Sequence, residues 1–205
     1  MNNAAPEKTD VPVGQWVEAG FFLYKENFST LVLAMLIVFL LSIFSLFILF
    51  PPLLLGFLLM TLRLATGGQP PPTIGDVFGG FQYFLNAFLF MLVWGIVFLL
   101  GSVALAVFPV IGQLASFVFG YSLQALLIFG LFLIGDKNRG FWQASTESMD
   151  IVKLNFWPFL GLTVIAGLIG GIGALAFGIG IIFTAPIQMC IVTIAYRDTF
   201  LSPTS

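Results

Sequence analysis

Three long stretches of this 205-residue chain contain no Asp, Glu, Lys or Arg: Asn27 to Leu62, Val77 to Gly135 and Leu154 to Tyr196. A helix needs about 20 residues to cross the hydrocarbon of a bilayer, so each stretch is long enough for two helices folded back on each other. The first stretch is tight for two full crossings, and its hairpin is expected to be short, tilted or partly re-entrant. Hydrophobic residues make up 60% of the chain and charged residues 8%, against roughly 25% charged in an average soluble domain. Too few charges remain to cover a water-facing surface, so lipid is the solvent for most of the chain. The fold class this implies is all-α: a polytopic membrane protein with six transmembrane helices arranged as three hairpins.

The segments between these stretches hold every charge, and three hairpins put all of those segments on one side. The seven Lys and Arg residues then lie together, and the positive-inside rule makes that side cytoplasmic, with both termini there. The opposite turns are read at Phe50-Pro51-Pro52, Phe108 to Gly112 and Phe177 to Gly180, short and uncharged. Pro186 lies only eleven residues before Arg197, so it is expected inside a helix that begins nearer Gly180 rather than at a helix start. By analogy the first hairpin is expected to turn before Pro51. Residues 1–12 read as a retained polar tail rather than a cleaved signal, and residues 201–205 as a second tail. Between them, 13–200 form one membrane domain with hairpin units at about 13–66, 73–135 and 139–200.

The first and last units look like copies and the middle one like a diverged third, which suggests a threefold repeat of one unit. Lys25-Glu26-Asn27-Phe28 matches Lys153-Leu154-Asn155-Phe156, and Pro52 and Pro186 each stand eleven residues before an arginine. Each unit opens with an amphipathic segment expected to lie on the membrane as an interfacial helix. In the first, Val13, Trp16, Val17, Phe21, Tyr24 and Phe28 follow helical spacing. In the third, Phe141, Trp142, Ser145, Met149, Val152 and Phe156 do so. Trp16, Tyr24, Lys25, Trp142 and Lys153 are the expected membrane-surface anchors. In the second unit Thr73-Ile74-Gly75-Asp76 reads as a capping box.

Chemistry is sparse. The chain has no histidine, and no ionisable group of the kind that serves as general acid or base lies inside a span. Catalytic residues, metal ligands and cofactors are therefore not expected, and the few, nearly balanced charges argue against nucleic acid as a partner. Cys190 is the single cysteine and has no histidine or nearby cation to activate it. The intramembrane polar residues of interest are Asn86, Gln124 and Gln188. Hydrogen bonding between helices, worth about 0.6–2 kcal/mol per bond, is the first explanation for them; a polar path for a solute is the second. Small residues form ridges: Ala166, Gly170, Ala174 and Gly178, with Gly167 and Gly171 alongside, and Gly112, Ser116 and Gly120. Such ridges let helix backbones approach closely, within the chain or against a partner subunit.

Taken together, the entry Lys25-Glu26-Asn27-Phe28, its copy at Lys153 to Phe156, the segment Ala144 to Asp150 and the ending Pro186 to Asp198 resemble a loose group of bacterial membrane proteins of unknown function. The group includes the membrane domain fused to some glycerophosphodiester phosphodiesterases. The resemblance implies a six-helix bacterial inner-membrane domain; the phosphodiesterase catalytic domain has no counterpart here. The function expected from the sequence is a non-catalytic scaffold, assembly factor or accessory subunit, with the lipid bilayer and other membrane subunits or itself as partners. The alternative is a transporter or channel for an uncharged or amphiphilic, lipid-like solute.

Overall fold

In the computed structural model, residues 11–108, 110–175 and 180–201 are described, and among them every regular element is helical. In chain order they are α1 (Val13–Glu26), α2 (Phe28–Phe44), α3 (Phe50–Ala65), a 3-10 helix (Ile74–Tyr83), α4 (Phe84–Ala106), α5 (Ile111–Leu126), α6 (Gly130–Asp136), α7 (Phe141–Leu154), α8 (Phe156–Gly171), a short 3-10 turn (Ile172–Leu175) and α9 (Ile181–Phe200).

Four helical segments are long and apolar enough to cross a membrane: Ile74–Ala106, Ile111–Asp136, Phe156–Ala174 and Ile181–Phe200. A fifth is obtained if α1 and α2, bent by 89° at Asn27, are taken as one span. The sixth helix of the expected set, α3, has 16 residues. At 1.5 Å per residue it measures about 24 Å, short of a hydrocarbon core of about 30 Å. Its environment explains why that length is tolerated. Leu53, Leu55 and Phe57 are fully buried, because α2, the 3-10 helix, α6 and α9 surround α3.

The contact between α3 and the 3-10 helix is closer than side chains allow. A Cβ on Gly56 would collide with the Val77 carbonyl, and one on Gly80 with the Pro52 carbonyl. The capping box read from the sequence forms at the head of this element: the Thr73 backbone N–H donates to Asp76 Oδ2 at 2.6 Å.

Pro186 does lie inside α9, which begins at Ile181. The first reversal comes before Pro51, as expected by analogy with Pro186, and not at Phe50-Pro51-Pro52. It occupies residues 45–49, with Leu46 and Phe47 at positive φ, while Phe50-Pro51-Pro52 already form the first turn of α3. Proline lacks an N–H and its φ suits a helix start, so the pair begins the returning helix instead of making the turn. Pro109 and residues 176–179 of the other two turns lie outside the described residues.

Helix α1 runs antiparallel along α9. Trp16 Nε1 donates to Asp198 Oδ2 at 2.9 Å, a Cβ on Gly20 would come within 2.6 Å of Ile191 Cα, and Phe28 stacks on Phe183. The buried stripe of α1 is Trp16, Gly20, Leu23 and Tyr24; of the stripe expected from periodicity it keeps Trp16 and Tyr24, while Phe21 and Phe28 are exposed.

Polar contacts also knit the charged connectors together. Arg63 Nη1 donates to Asp76 Oδ1 at 2.8 Å, Arg197 Nη1 to the Ala65 carbonyl at 3.1 Å, and the Tyr196 hydroxyl to Asp136 Oδ2 at 2.7 Å. Arg139 Nε donates to Glu147 Oε2 at 3.0 Å. The start of α1, the end of α3, the start of the 3-10 helix and the ends of α6 and α9 therefore meet. Lys25 and Glu26 stand apart at the other end of α1, both exposed.

A candidate intramembrane binding cavity

Between α3, α4, α5, α8 and α9 lies a cavity of about 530 Å³. Its walls are mainly apolar: Leu54 and Leu58 from α3, Phe90, Met91 and Phe98 from α4, Leu123 from α5, Phe132 from α6 and Val192 from α9. That size and lining are typical of sites that bind a small molecule through apolar contact and a few placed polar groups. Among the described residues, no Asp, Glu, Lys or Arg lines it.

The polar groups divide into two sets. Ser116 and Thr163 return their hydroxyls to their own helices, donating to the Gly112 and Phe159 carbonyls at 2.8 Å each. Trp94 Nε1 donates to Ser145 Oγ at 2.8 Å, so that lining indole is held by α7. The Tyr121 hydroxyl and the amides of Gln124 and Gln188 have no hydrogen-bond partner among the described residues. Among the described residues, neither Gln124 nor Gln188 makes the helix–helix hydrogen bond that is the first explanation for them.

Glycines set the positions of two of these groups. Gln188 lies over Gly170, where a Cβ would meet its side-chain Cδ at 3.0 Å. Tyr121 lies over Gly167, 3.3 Å from an added Cβ. Gln188 and Gln124 come from α9 and α5, and the sequence alone gave no means of bringing them together. Asn86, the third expected member, is elsewhere: its Oδ1 accepts from the Phe141 backbone N–H at 3.3 Å and so receives the start of α7. Tyr121 was missed, although it stands one helical turn before Gln124 and shares its face.

The cavity is open on one side, since Phe98, Phe117 and Gln124 in its wall remain exposed. A second cavity of about 480 Å³ shares Phe98, Ser116 and Phe117 with it and extends to Ala106 and Gln113. The two form one groove between α4 and α5.

The small-residue ridges are largely used within the chain. Ala166 is fully buried in the cavity wall, Gly112 packs on the Leu105 carbonyl, and Gly120 packs on the Phe98 ring. Only Gly171 and Ala174 of the described ridge residues are exposed, and Gly178 lies outside the described residues.

The expected surface anchors are similarly split. Trp142 is 60% exposed and stacks on Trp94, and Lys25 and Lys153 are exposed, Lys153 Nζ lying 3.5 Å from Asp150 Oδ1. Trp16 and Tyr24 are corrected: both are buried, because α1 turns that face onto α9. Among the described residues no group of three His, Cys, Asp or Glu side chains is placed to hold a metal ion.

Comparison of the chain with protein-family models, with curated proteins and with solved structures finds no match.

Proposed function

We propose that this integral membrane protein is a transporter for an uncharged or amphiphilic, lipid-like solute, which it takes up in the cavity between α4, α5, α8 and α9. The observation that carries this reading is the convergence of Gln124, Gln188 and Tyr121 on an apolar cavity without protein partners. An amide facing a low-dielectric space without a hydrogen bond is costly, and a ligand with a complementary polar group removes that cost. The exposed wall at Phe98 and Phe117 gives such a ligand a lateral path from the bilayer.

The scaffold reading draws on the small-residue ridges, the short uncharged outward turns and the sparse chemistry; of these, most of the ridges meet neighbours of the same chain. For the setting, we take a bacterial inner membrane with the connectors that carry Arg63, Arg139 and Arg197 and both termini on the cytoplasmic side, Lys25 and Glu26 standing apart from them, and six apolar helices in three related hairpins. The clustering of Arg63, Arg139 and Arg197 with their acidic partners supports that orientation.

Native mass spectrometry on protein released from its own membranes tests the function. The unaltered protein is expected to carry a bound amphiphile. Leu123→Trp, which fills the cavity, is expected to lose it while remaining folded. Identical ligand occupancy in both proteins contradicts the proposal, as does a protein that carries no amphiphile and appears only as a stoichiometric complex with another subunit.

A further inference from the structure

Resting on the reading of this cavity as an amphiphile site, we infer the class of headgroup it accepts: an uncharged group that both donates and accepts hydrogen bonds, such as a hydroxyl or a carboxamide, rather than an ionised phosphate or amine. Three observations lead there. First, the polar groups with free capacity in the first cavity are two amides and a phenol, from Gln124, Gln188 and Tyr121. Each amide presents an acceptor oxygen and two donor N–H bonds, and the phenol can do either, so together they suit a neutral partner of mixed character.

Second, among the described residues no Asp, Glu, Lys or Arg side chain lines either part of the groove. Along α9 the next charge beyond Gln188 is Arg197, nine residues and about 14 Å of helix away, and beyond Gln124 the chain meets no charge before Asp136 at the end of α6. Glu147 and Asp150 of α7, which packs on the end of α5, do not line the groove. An ionised headgroup at the glutamines would be desolvated without a counter-charge, which strongly disfavours it.

Third, these polar groups sit part-way along a mainly apolar groove, with Gln113 at its far end. Between Ser116 and Gln124 on α5 the first cavity follows about 12 Å of helix, and the second continues toward Gln113. A headgroup at Gln124 and Gln188 therefore leaves room for an alkyl chain along Phe117, Phe98 and Ala106. The ligand is a long-chain alcohol, amide or similar neutral lipid with its head buried at the glutamines.

Trp94 in the cavity wall provides the readout. With the protein in phosphatidylcholine nanodiscs, the quenching of tryptophan fluorescence by an ω-bromo fatty alcohol, the matching alkyl phosphate and the matching bromoalkane is compared. The same titrations on Trp94→Phe subtract quenching of the other tryptophans. Saturable quenching of Trp94 by the alcohol, at least tenfold tighter than by the phosphate and tighter than by the bromoalkane, is the expected result. The Gln124→Leu/Gln188→Leu double variant is expected to weaken alcohol binding roughly two- to tenfold and to remove its advantage over the bromoalkane. The comparison of probes on the unaltered protein does not depend on how that variant folds. Equal saturable binding of all three probes overturns the headgroup assignment while leaving the cavity as an amphiphile site. No saturable Trp94 quenching by any probe overturns both.

Discussion

Gln188 lies against Gly170 so closely that any side chain on Gly170 would meet its amide, the Cδ standing 3.0 Å from the position a Cβ would take. The two residues face each other across the α8–α9 hairpin, and Gln188 is also in the cavity wall. Gly170 thereby sets where a polar group of the proposed site can sit.

The Gly170→Ala substitution exploits this relation. The clashing atoms belong to the end of a flexible side chain, so the helix backbones need not move. Thermal stability in detergent is expected to change by less than about 1 kcal/mol, since Ala also favours the helix over Gly. Retention of a bound amphiphile, read by native mass spectrometry, is expected to fall. A large loss of stability with unchanged retention would contradict the assignment of Gln188 to the site.

Backbone contact between α3 and the 3-10 helix leaves no such freedom. Gly56→Val is expected to destabilise the protein by more than about 2 kcal/mol, because its Cβ would meet the Val77 carbonyl and not a movable side chain. Gly171→Ala is the matched control, since nothing lies within 4 Å of its Cβ. Melting curves of the two variants in the same detergent are expected to separate clearly, with Gly171→Ala at or slightly above the unaltered protein.

Trp16→Phe removes the indole N–H that donates to Asp198 but keeps the aromatic packing against Phe159. Asp198 still receives Arg197. The expected loss is about 1–2 kcal/mol, measured by thermal unfolding. Trp142→Phe is expected to cost less, because Trp142 is 60% exposed and shows no indole hydrogen bond among the described residues.

The orientation of the chain is tested by fusing a topology reporter near Pro109, between α4 and α5. The positive-inside rule places that turn away from the cytoplasm. A cytoplasmic signal there would overturn the proposed orientation, and with it the placement of the arginine-bearing connectors.

Local signals in the sequence marked much of the fold. The charge-free stretches delimited the apolar helices, Thr73 and Asp76 announced their capping box, and the short interval from Pro186 to Arg197 placed that proline inside a helix. Long-range relations were not legible. The buried stripe of α1 depends on Gly20 meeting the backbone of Ile191, a contact that apolar periodicity cannot reveal. The burial of α3, which accounts for its shortness, depends on the 3-10 helix lying across Gly56.

The candidate site shows the same limit. Gln124 and Gln188 were visible as polar residues in apolar helices, but their convergence depends on how α5, α8 and α9 pack. Asn86 looked equivalent in sequence and proved to meet the start of α7. Tyr121 reads as one more aromatic until Gly167 is seen to accommodate its ring.

Uptake of an amphiphile into the cavity is tested most directly by photo-crosslinking in reconstituted bilayers with a fatty alcohol carrying a diazirine on its chain. The account predicts labelling, mapped by peptide mass spectrometry, at cavity residues such as Met91, Leu123, Thr163 and Gln188, and competition of that labelling by unlabelled alcohol. Labelling confined to the exposed positions Leu99, Leu100, Val103 and Ile111, with none at Thr163 or Gln188, would contradict it.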